Sequence, residues 1–149
     1  MDSLDIKILR ILQQDCSQTV AEIGKKVGLS SSPCWKRINK LIQDGVIIKQ
    51  TAILDQKLLG YNLVAFVSIK TGNHSEEWLE NFSSQISKIS EVIEFYRMAG
   101  DVDYLLKVIV KNIEKYDDLY KKIIEIEGLK EVTSRFSMEV LKNDMAIPI

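Results

Sequence analysis

The spacing of apolar residues changes once along this chain, near Tyr61, and this change constrains the fold more than any other feature. Before it, apolar residues recur at intervals of three to five, which is typical of amphipathic helices. After it, several short stretches alternate or run apolar as strands do, and two longer ones keep the helical spacing. The 149 residues are enough for two small domains. The sequence therefore predicts an all-helical first domain and a mixed second domain.

Residues 1–46 are predicted to form three short helices, of which the first two carry clear start signals. The first, "SLDIKILRILQQD", has an apolar stripe, and Asp2 or Ser3 can cap its start. The second, "TVAEIGKKV", begins with Thr19 and Glu22, which have the spacing of a capping box. These signals fix where both helices start.

The third helix lies in "GLSSSPCWKRINKL". Gly28 stops the preceding helix, Ser30 is placed as the N-cap, and Pro33 falls in the first turn, where a missing N–H costs nothing. At 100° per residue, one side of this helix is apolar and is expected to pack on the first two helices. The inward residues are Cys34, Ile38, Leu41 and Ile42.

The outer side of the third helix carries hydroxyl, amide and ammonium groups, with no carboxylate before Asp44. Such a face can donate to phosphates and reach base edges in the major groove, and the serines leave helix N–H groups free for a phosphate oxygen. A helix, a glycine turn and a basic helix form a helix-turn-helix. A solvated polar face on a small bundle would have the same composition, so both interpretations stay open here. The candidate DNA-binding residues are Ser30, Ser31, Ser32, Trp35, Lys36, Arg37, Asn39 and Lys40.

The rest of the chain is predicted to be a hinge strand or linker over residues 47–60 and an effector-type domain over residues 61–149. The stretch "VIIKQTAILDQKLLG", which contains this hinge, is rich in β-branched and other apolar residues. The second domain has strands and helices in the order βαββαβ, which is the ferredoxin-like arrangement. The fold class is therefore α+β, a helix-turn-helix domain followed by a ferredoxin-like domain. The last strand is predicted to span "LKEVTSRFSMEVL".

Both faces of the predicted sheet are apolar. In the first strand Ala65 and Val67 alternate with Val64 and Phe66, and Tyr104 starts a strand that alternates into the core. Two helices cover only one face of a four-stranded sheet. The other face is therefore predicted to pack on a second copy of the chain, giving a homodimer. Cover by the linker and the first domain is the alternative.

Charge and cysteine content restrict the function classes. The formal net charge is −1, which argues against indiscriminate nucleic-acid binding, but residues 1–50 hold eight Lys or Arg against five Asp or Glu. No apolar run approaches the roughly 20 residues of a membrane span, and the start has no signal-peptide pattern. We therefore expect a cytoplasmic location and no membrane partner. The two cysteines are expected to be free thiols.

Two motifs resemble the Lrp/AsnC (feast/famine) family of prokaryotic transcription regulators. The pattern G-L-S-x-x-P-C-x-x-R stands at residues 28–37, and G-x-x-D-Y-L-L stands at residues 100–106. The resemblance covers essentially the whole chain. It implies a DNA-binding helix-turn-helix on double-stranded DNA, a hinge strand and a ferredoxin-like effector domain. It also implies dimers that often assemble into octamers, and small-molecule effectors, usually amino acids, bound where dimers meet.

The stretch "AGDVDY" is the candidate effector site. On its own residues it can be a simple hairpin turn, or a turn whose N–H groups hold a ligand carboxylate while Asp101 or Asp103 holds its ammonium group. The resemblance implies one wall from this turn and another from the last strand. The candidate effector-binding residues are Met98, Ala99, Gly100, Asp101, Asp103, Tyr104, Thr133, Ser134 and Arg135.

The sequence departs from the family pattern at two positions. Trp35 is bulky for a residue beside a DNA groove, which bears on DNA preference, and Arg135 replaces a more usual small polar residue, which bears on the effector pocket. Two aspartates without further ligands are too few for a metal, so no metal and no cofactor is predicted.

The sequence favours a regulator over an enzyme. Sirohaem decarboxylases resemble this family and are an alternative, but such enzymes need basic and histidine groups around a tetrapyrrole, and His74 is the single histidine here. An amino-acid sensor that has lost DNA binding is a second alternative. The cationic outer face of the third helix argues against it.

Overall fold

The computed structural model describes residues 1–149 and divides into two compact units. The first unit comprises residues 1–53 and 142–149, and the second comprises residues 54–141. The expectation that the second domain continues to residue 149 therefore differs from the structure, in which the last eight residues belong to the helical unit. No helix has the length and apolar character needed to cross a membrane.

The first unit contains α1 (Ser3–Gln14), α2 (Val20–Val27) and α3 (Ser31–Gln43). Both α1 and α2 start with a full capping box, and a left-handed Gly28 with φ of +76° follows α2. One core cluster joins the three helices, and it consists of Ile8, Leu9, Ile23, Val27, Cys34, Ile38 and Leu41. Ile42, expected inside, is exposed.

The hinge over residues 47–60 forms no strand in the single chain. It has no regular pairing before a turn near residue 56, and several of its apolar side chains face solvent, with Ile48 90% exposed. A strand needs a neighbouring strand for its N–H and C=O groups, and this segment has none within its own chain. The strand prediction is thus wrong for the single chain, and the assignment of residues 47–60 as a linker stays a prediction.

The second unit confirms the predicted βαββαβ order and the α+β class. Its elements are β1 (Leu63–Thr71), α4 (Glu76–Ser87), β2 (Val92–Arg97), β3 (Tyr104–Val110), α5 (Ile113–Ile124) and β4 (Leu129–Phe136). The sheet order is β2-β3-β1-β4, with every neighbouring pair antiparallel. β4 ends at Phe136, before the predicted Leu141, because Ala65 near the start of β1 is its last pairing partner.

Helices α4 and α5 pack on the same face of the sheet. That face carries Ala65, Val67 and Ile69 of β1, and it shares one core cluster with Phe82 of α4 and Leu119 of α5. Aromatic rings fill the end of this core near α4, where Phe82 stacks on Trp78 and also contacts Phe95 and Tyr104. Ile113, in the first turn of α5, is 59% exposed.

The other face of the sheet has no helix on it and is amphipathic. Its partly or largely exposed residues include Phe66, Tyr96 and Ile109, so an apolar strip crosses three strands. A charged pair lies within the strip, because Lys107 is opposite Phe66 and its Nζ lies 2.8 Å from Oε1 of Glu94. The hydrogen bond from Lys107, followed by one from Tyr96, lowers the pKa of the Glu94 carboxyl. We call this the open sheet face.

Candidate DNA-binding helix and effector turn

The N-terminus of α3 differs from those of the other helices because no side chain caps it. Ser30 occupies the N-cap position with extended backbone, but its hydroxyl makes no hydrogen bond to the first turn. Ser31 and Ser32 are exposed in that first turn. The free N–H groups and the positive end of the helix dipole are available to an anion such as a phosphate oxygen.

The exposed side of α3 is cationic, as predicted. Lys36 and Lys40 are exposed, Asn39 is partly exposed between them, and the Lys36 ammonium has no acidic partner. Lys40 Nζ lies 2.7 Å from Asp44 Oδ2, and this hydrogen bond raises the pKa of Lys40. An exposed pair of this kind is weak, so a phosphate can compete for the Lys40 ammonium.

Arg37 has a structural task that the sequence did not indicate. Its Nη1 donates to Asp2 Oδ2 at 2.7 Å and to Asp5 Oδ1 at 2.8 Å. The pKa values of both carboxyls are lowered, first by the N–H groups of the capping box and next by Arg37. The guanidinium therefore ties α3 to the start of α1. The assignment of Arg37 as a DNA contact stays a prediction. To contact a phosphate, its guanidinium would have to give up its ion pairs with Asp2 and Asp5.

Trp35 lies on the flank of the same surface. Its side chain is 56% exposed, a large apolar group beside the cationic residues of α3. The structure therefore brings together Trp35, Lys36, Asn39 and Lys40 with the serines of the first turn. One continuous surface holds them because they all come from one helix.

The candidate effector turn, residues 98–103 between β2 and β3, is held in place by hydrogen bonds of Asp103. Its Oδ2 accepts from the Thr71 N–H at 2.8 Å, its N–H donates to the Ile69 carbonyl at 3.0 Å, and its carbonyl accepts from the Met98 N–H at 2.8 Å. Asp103 thus holds the turn against the end of β1. Asp101 is exposed, follows Gly100 with φ of +137°, and makes no side-chain hydrogen bond. Asp101 is the free carboxylate of the turn.

Two of the candidate effector residues, Tyr104 and Ser134, have side chains on the helix-covered face of the sheet. Tyr104 is 3% exposed and packs against Trp78 and Phe82. Ser134 accepts a hydrogen bond from the Tyr116 hydroxyl of α5. Strand alternation places the Tyr104 side chain in the core and the partly buried Ser134 side chain on the same face of the sheet. Neither side chain is available to a ligand on the open sheet face.

Thr133 and Arg135 lie on the open sheet face, as their alternation with Ser134 requires. Arg135 Nη1 donates to Ser68 Oγ at 2.9 Å, so its guanidinium crosses to β1. Thr133 donates to Glu131 Oε1 at 3.2 Å. The last strand therefore supplies a cation and a hydroxyl to the same face.

Sequence reasoning missed Lys70 of β1. Its side chain lies between the two predicted walls of the effector site, which are the turn before β3 and the strand β4. Its Nζ lies 3.0 Å from Glu131 Oε2, and this hydrogen bond is the main cause of its raised pKa. β1 lies between β3 and β4, Ile69 is opposite Tyr104 and Lys70 is opposite Glu131, so Lys70 lies between the turn and β4. The charges of Asp101 and Asp103 raise the pKa of Lys70 further. The signal was the alternation of β1, which places Lys70 on the open sheet face with Ser68.

One cavity of the second unit lies away from this turn. It has a volume of about 520 Å³ and contacts the start of β2, the end of β3 and the linker. Tyr61, Glu91, Ile93 and Lys111 are among its lining residues, and none of the candidate effector residues is. No group of three His, Cys, Asp or Glu side chains is placed to hold a metal ion.

Comparisons with known proteins match both units. Residues 1–48 match a family model described as winged helix-turn-helix DNA-binding, and residues 64–147 match one described as the Lrp/AsnC ligand binding domain. The DNA-binding transcriptional activator DecR of Escherichia coli strain K12 is 42% identical over 150 residues, covering 100% of this chain and 99% of that protein.

Two solved structures extend the likeness to the whole fold. The crystal structure of an AsnC family transcriptional regulator from Agrobacterium tumefaciens is 51% identical with a TM-score of 0.96, covering 99% of this chain and 97% of that one. The regulator NMB0573 from Neisseria meningitidis, in complex with L-Met, is 26% identical with a TM-score of 0.94, covering 99% and 96%.

Proposed function

The chain belongs to the Lrp/AsnC family of transcription regulators, and on that premise we propose that it binds specific DNA sequences and responds to an amino acid. Residues 1–46 are the DNA-binding domain in this proposal, residues 47–60 are the linker, and the ferredoxin-like unit that follows binds the effector. The observation that carries it is the surface of α3, cationic and free of carboxylates before Asp44.

The chemistry of α3 suits the major groove. Lys36 and Lys40 would contact phosphates, whereas Asn39 and Ser32 have the amide and hydroxyl groups that read base edges. The uncapped N–H groups after Ser30 suit a further phosphate oxygen. Trp35 adds apolar contact area at the flank. Arg37 would orient α3 through Asp2 and Asp5 and is a secondary candidate for DNA contact.

The effector proposal rests on the turn and its surroundings. The relative from Neisseria meningitidis holds L-Met, which makes a free amino acid the first class of ligand to test. Asp101 is the exposed carboxylate that suits an ammonium group, while the backbone of Ala99 and Gly100 and the cations Lys70 and Arg135 suit a carboxylate. Met98 belongs to the wall formed by the turn, and Thr133 belongs to the wall formed by β4.

The open sheet face supports a homodimer. Phe66, Tyr96 and Ile109 form an apolar strip without a cover in the single chain, and a second copy packed sheet to sheet would bury it. The unpaired hinge, with Ile48 exposed, is a further surface for the same partner. Octamers of such dimers are the next level of assembly to test.

A regulatory role, rather than catalysis, is what the relatives' names support. The proposed ligands are double-stranded DNA and an amino acid, with no cofactor. Since the proposed partner is DNA, we place the protein in the cytoplasm.

The test combines selection of duplexes from a random library with a thermal-shift screen of the twenty amino acids. The full chain should enrich a two-fold related DNA sequence, as two helix-turn-helix units in a dimer require. One or more amino acids should raise the melting temperature, because a ligand that binds only the native state stabilises it. No enriched sequence, together with no stabilising amino acid, would contradict the proposed function.

A further inference from the structure

Residues 142–149, here called the clasp segment, belong to the helical unit although they follow the effector unit in the sequence. The chain passes from the first unit to the second after Ile53 and returns after Leu141. The DNA-binding unit is therefore connected to the effector unit by two stretches of chain. Only the first of these, the linker, was expected from the sequence.

The clasp segment is held on α1 by hydrogen bonds to two side chains. The Gln13 amide engages both polar groups of one residue: its Nε2 donates to the Ile147 carbonyl at 3.2 Å, and its Oε1 accepts from the Ile147 N–H at 2.6 Å. Arg10 Nε donates to the Ile149 backbone oxygen at 2.5 Å. Arg10 and Gln13 are three residues apart and so lie side by side on the helix. Together they bind the clasp segment through its backbone.

The clasp segment is shaped by its own short turns before it meets α1. Asp144 Oδ1 accepts from the Ala146 N–H at 2.9 Å, and the Ile149 N–H donates to the Ile147 carbonyl at 2.9 Å around Pro148. The second bond closes a three-residue γ-turn, and proline fixes φ near the value this turn needs. Less freedom is then lost on docking than for an unstructured segment.

Helix α1 contacts both the clasp segment and α3. Gln13 near its C-terminus holds Ile147, and Asp2 and Asp5 at its N-terminus hold Arg37 of α3. On the other side, the clasp segment follows β4, whose Thr133 and Arg135 are candidate effector contacts. One path thus runs along the chain from β4 to the clasp segment, then through its hydrogen bonds to α1, and finally through the ion pairs of Arg37 to α3.

We propose that the clasp segment is a second tether of the DNA-binding unit, through which a shift of β4 on effector binding changes the position of α1 and α3. The inference rests on the proposed function for its effector and its DNA. Breaking the clasp would leave the linker as the only connection. Two helix-turn-helix units of a dimer would then be held less firmly at the spacing of their half-sites, which lowers their effective concentration on DNA.

The test compares Gln13→Ala with the control Gln14→Ala in the full chain. Gln14 neighbours Gln13 on α1, is exposed and makes no side-chain hydrogen bond, so both variants change helix propensity equally. Hydrogen exchange of residues 142–149 reports docking directly. Protection of the Ile147 N–H should fall about tenfold in Gln13→Ala, the effect of roughly two neutral hydrogen bonds, and stay at the parent level in Gln14→Ala. Equal protection in all three proteins would overturn the clasp.

The second arm measures DNA affinity with and without the amino acid found in the thermal screen. Gln13→Ala should bind DNA more weakly and show a several-fold smaller effector-induced change, whereas Gln14→Ala should match the parent. An unchanged effector response in Gln13→Ala, with protection lost, would overturn the tether. A parent that binds no DNA sequence specifically would instead mark failure of the proposed function, and exchange at Ile147 would still decide whether the clasp is docked.

Discussion

The two candidate sites are assembled over very different distances in the sequence. The DNA-binding candidates lie within eleven positions of one helix, from Ser30 to Lys40, and apart from Arg37 the structure presents them on one surface. The effector candidates come from residues 98–104, which form the turn before β3 and its first residue, and from residues 133–135 of β4. In the sheet β1 separates β3 from β4. Two of those side chains, Tyr104 and Ser134, lie on the helix-covered face of the sheet, whereas Thr133 and Arg135 lie on the open sheet face. Helical periodicity is local, whereas the neighbours of a strand depend on topology.

The sites also differ in how far their charged groups are already engaged. On α3 the Lys36 ammonium is free and Lys40 has only an exposed partner. Around the effector turn, Asp103 binds the Thr71 N–H, and Lys70 binds Glu131. A ligand at the turn must compete with bonds inside the protein, whereas DNA meets groups that are largely hydrated. Substitutions should therefore have simpler effects on α3 than at the turn.

The largest expected effect is on DNA affinity. The double variant Lys36→Ala/Lys40→Ala should bind DNA about 10- to 100-fold more weakly at low salt, because two phosphate contacts are lost. The slope of log K against log salt should fall by about 2. A titration of duplex at several salt concentrations measures both quantities.

The matched control for this pair is Lys121→Ala/Lys122→Ala on α5, which removes the same charge from the other unit. If both double variants lose affinity equally, net charge rather than the surface of α3 drives binding. An unchanged salt slope in the α3 variant would contradict the groove assignment.

The next largest expected effect is on effector affinity, and it should differ between the two aspartates of the turn, Asp101 and Asp103. Asp101→Asn should weaken binding of the effector amino acid about tenfold, because a charge-assisted hydrogen bond to the ammonium group is lost. Asp103→Asn keeps an oxygen that can accept from the Thr71 N–H, and it should have the smaller effect on ligand affinity. Calorimetric titration compares them. A larger loss in Asp103→Asn would show that Asp103, not Asp101, holds the ligand.

Arg37 tests whether a family-motif residue of α3 acts through DNA or through the fold. Arg37→Ala should lower the melting temperature, because the link from α3 to Asp2 and Asp5 is removed. Its salt slope for DNA binding should stay near that of the parent. A slope reduced by about 1, with an unchanged melting temperature, would make Arg37 a phosphate contact instead.

The smallest effect is the acid sensitivity of the helical unit. Asp2 and Asp5 have pKa values below the ordinary 3.8, so their interactions stabilise the fold fully above that value. This stabilisation is lost as the pH falls through their lowered pKa values. Asp2→Asn retains a capping side chain but does not titrate. Its stability, followed by helix ellipticity between pH 5 and pH 2, should fall less steeply than that of the parent; an identical slope would contradict the role of Asp2.

Much of the fold was predictable because its signals are local. Thr19 and Glu22 form the predicted capping box, and Gly28 takes the left-handed conformation that ends α2. The alternation of β3 correctly placed Tyr104 in the core. The order βαββαβ followed from the same periodicities. Each of these depends on residues within a few positions of one another.

The sequence by itself thus determined the two-part organisation, the cationic face of α3 and the turn at Gly100. Only the tertiary structure decided the partners of Arg37, the position of Lys70 between turn and β4, and the docking of Ile147 on Gln13. The structure also showed that the predicted hinge, residues 47–60, forms no strand in the single chain. The contacts of Arg37 and Gln13 join groups that are 32 to 134 residues apart in the sequence. Side-chain periodicity holds no information about such pairs, because it fixes which way a residue faces but not which distant residue it meets.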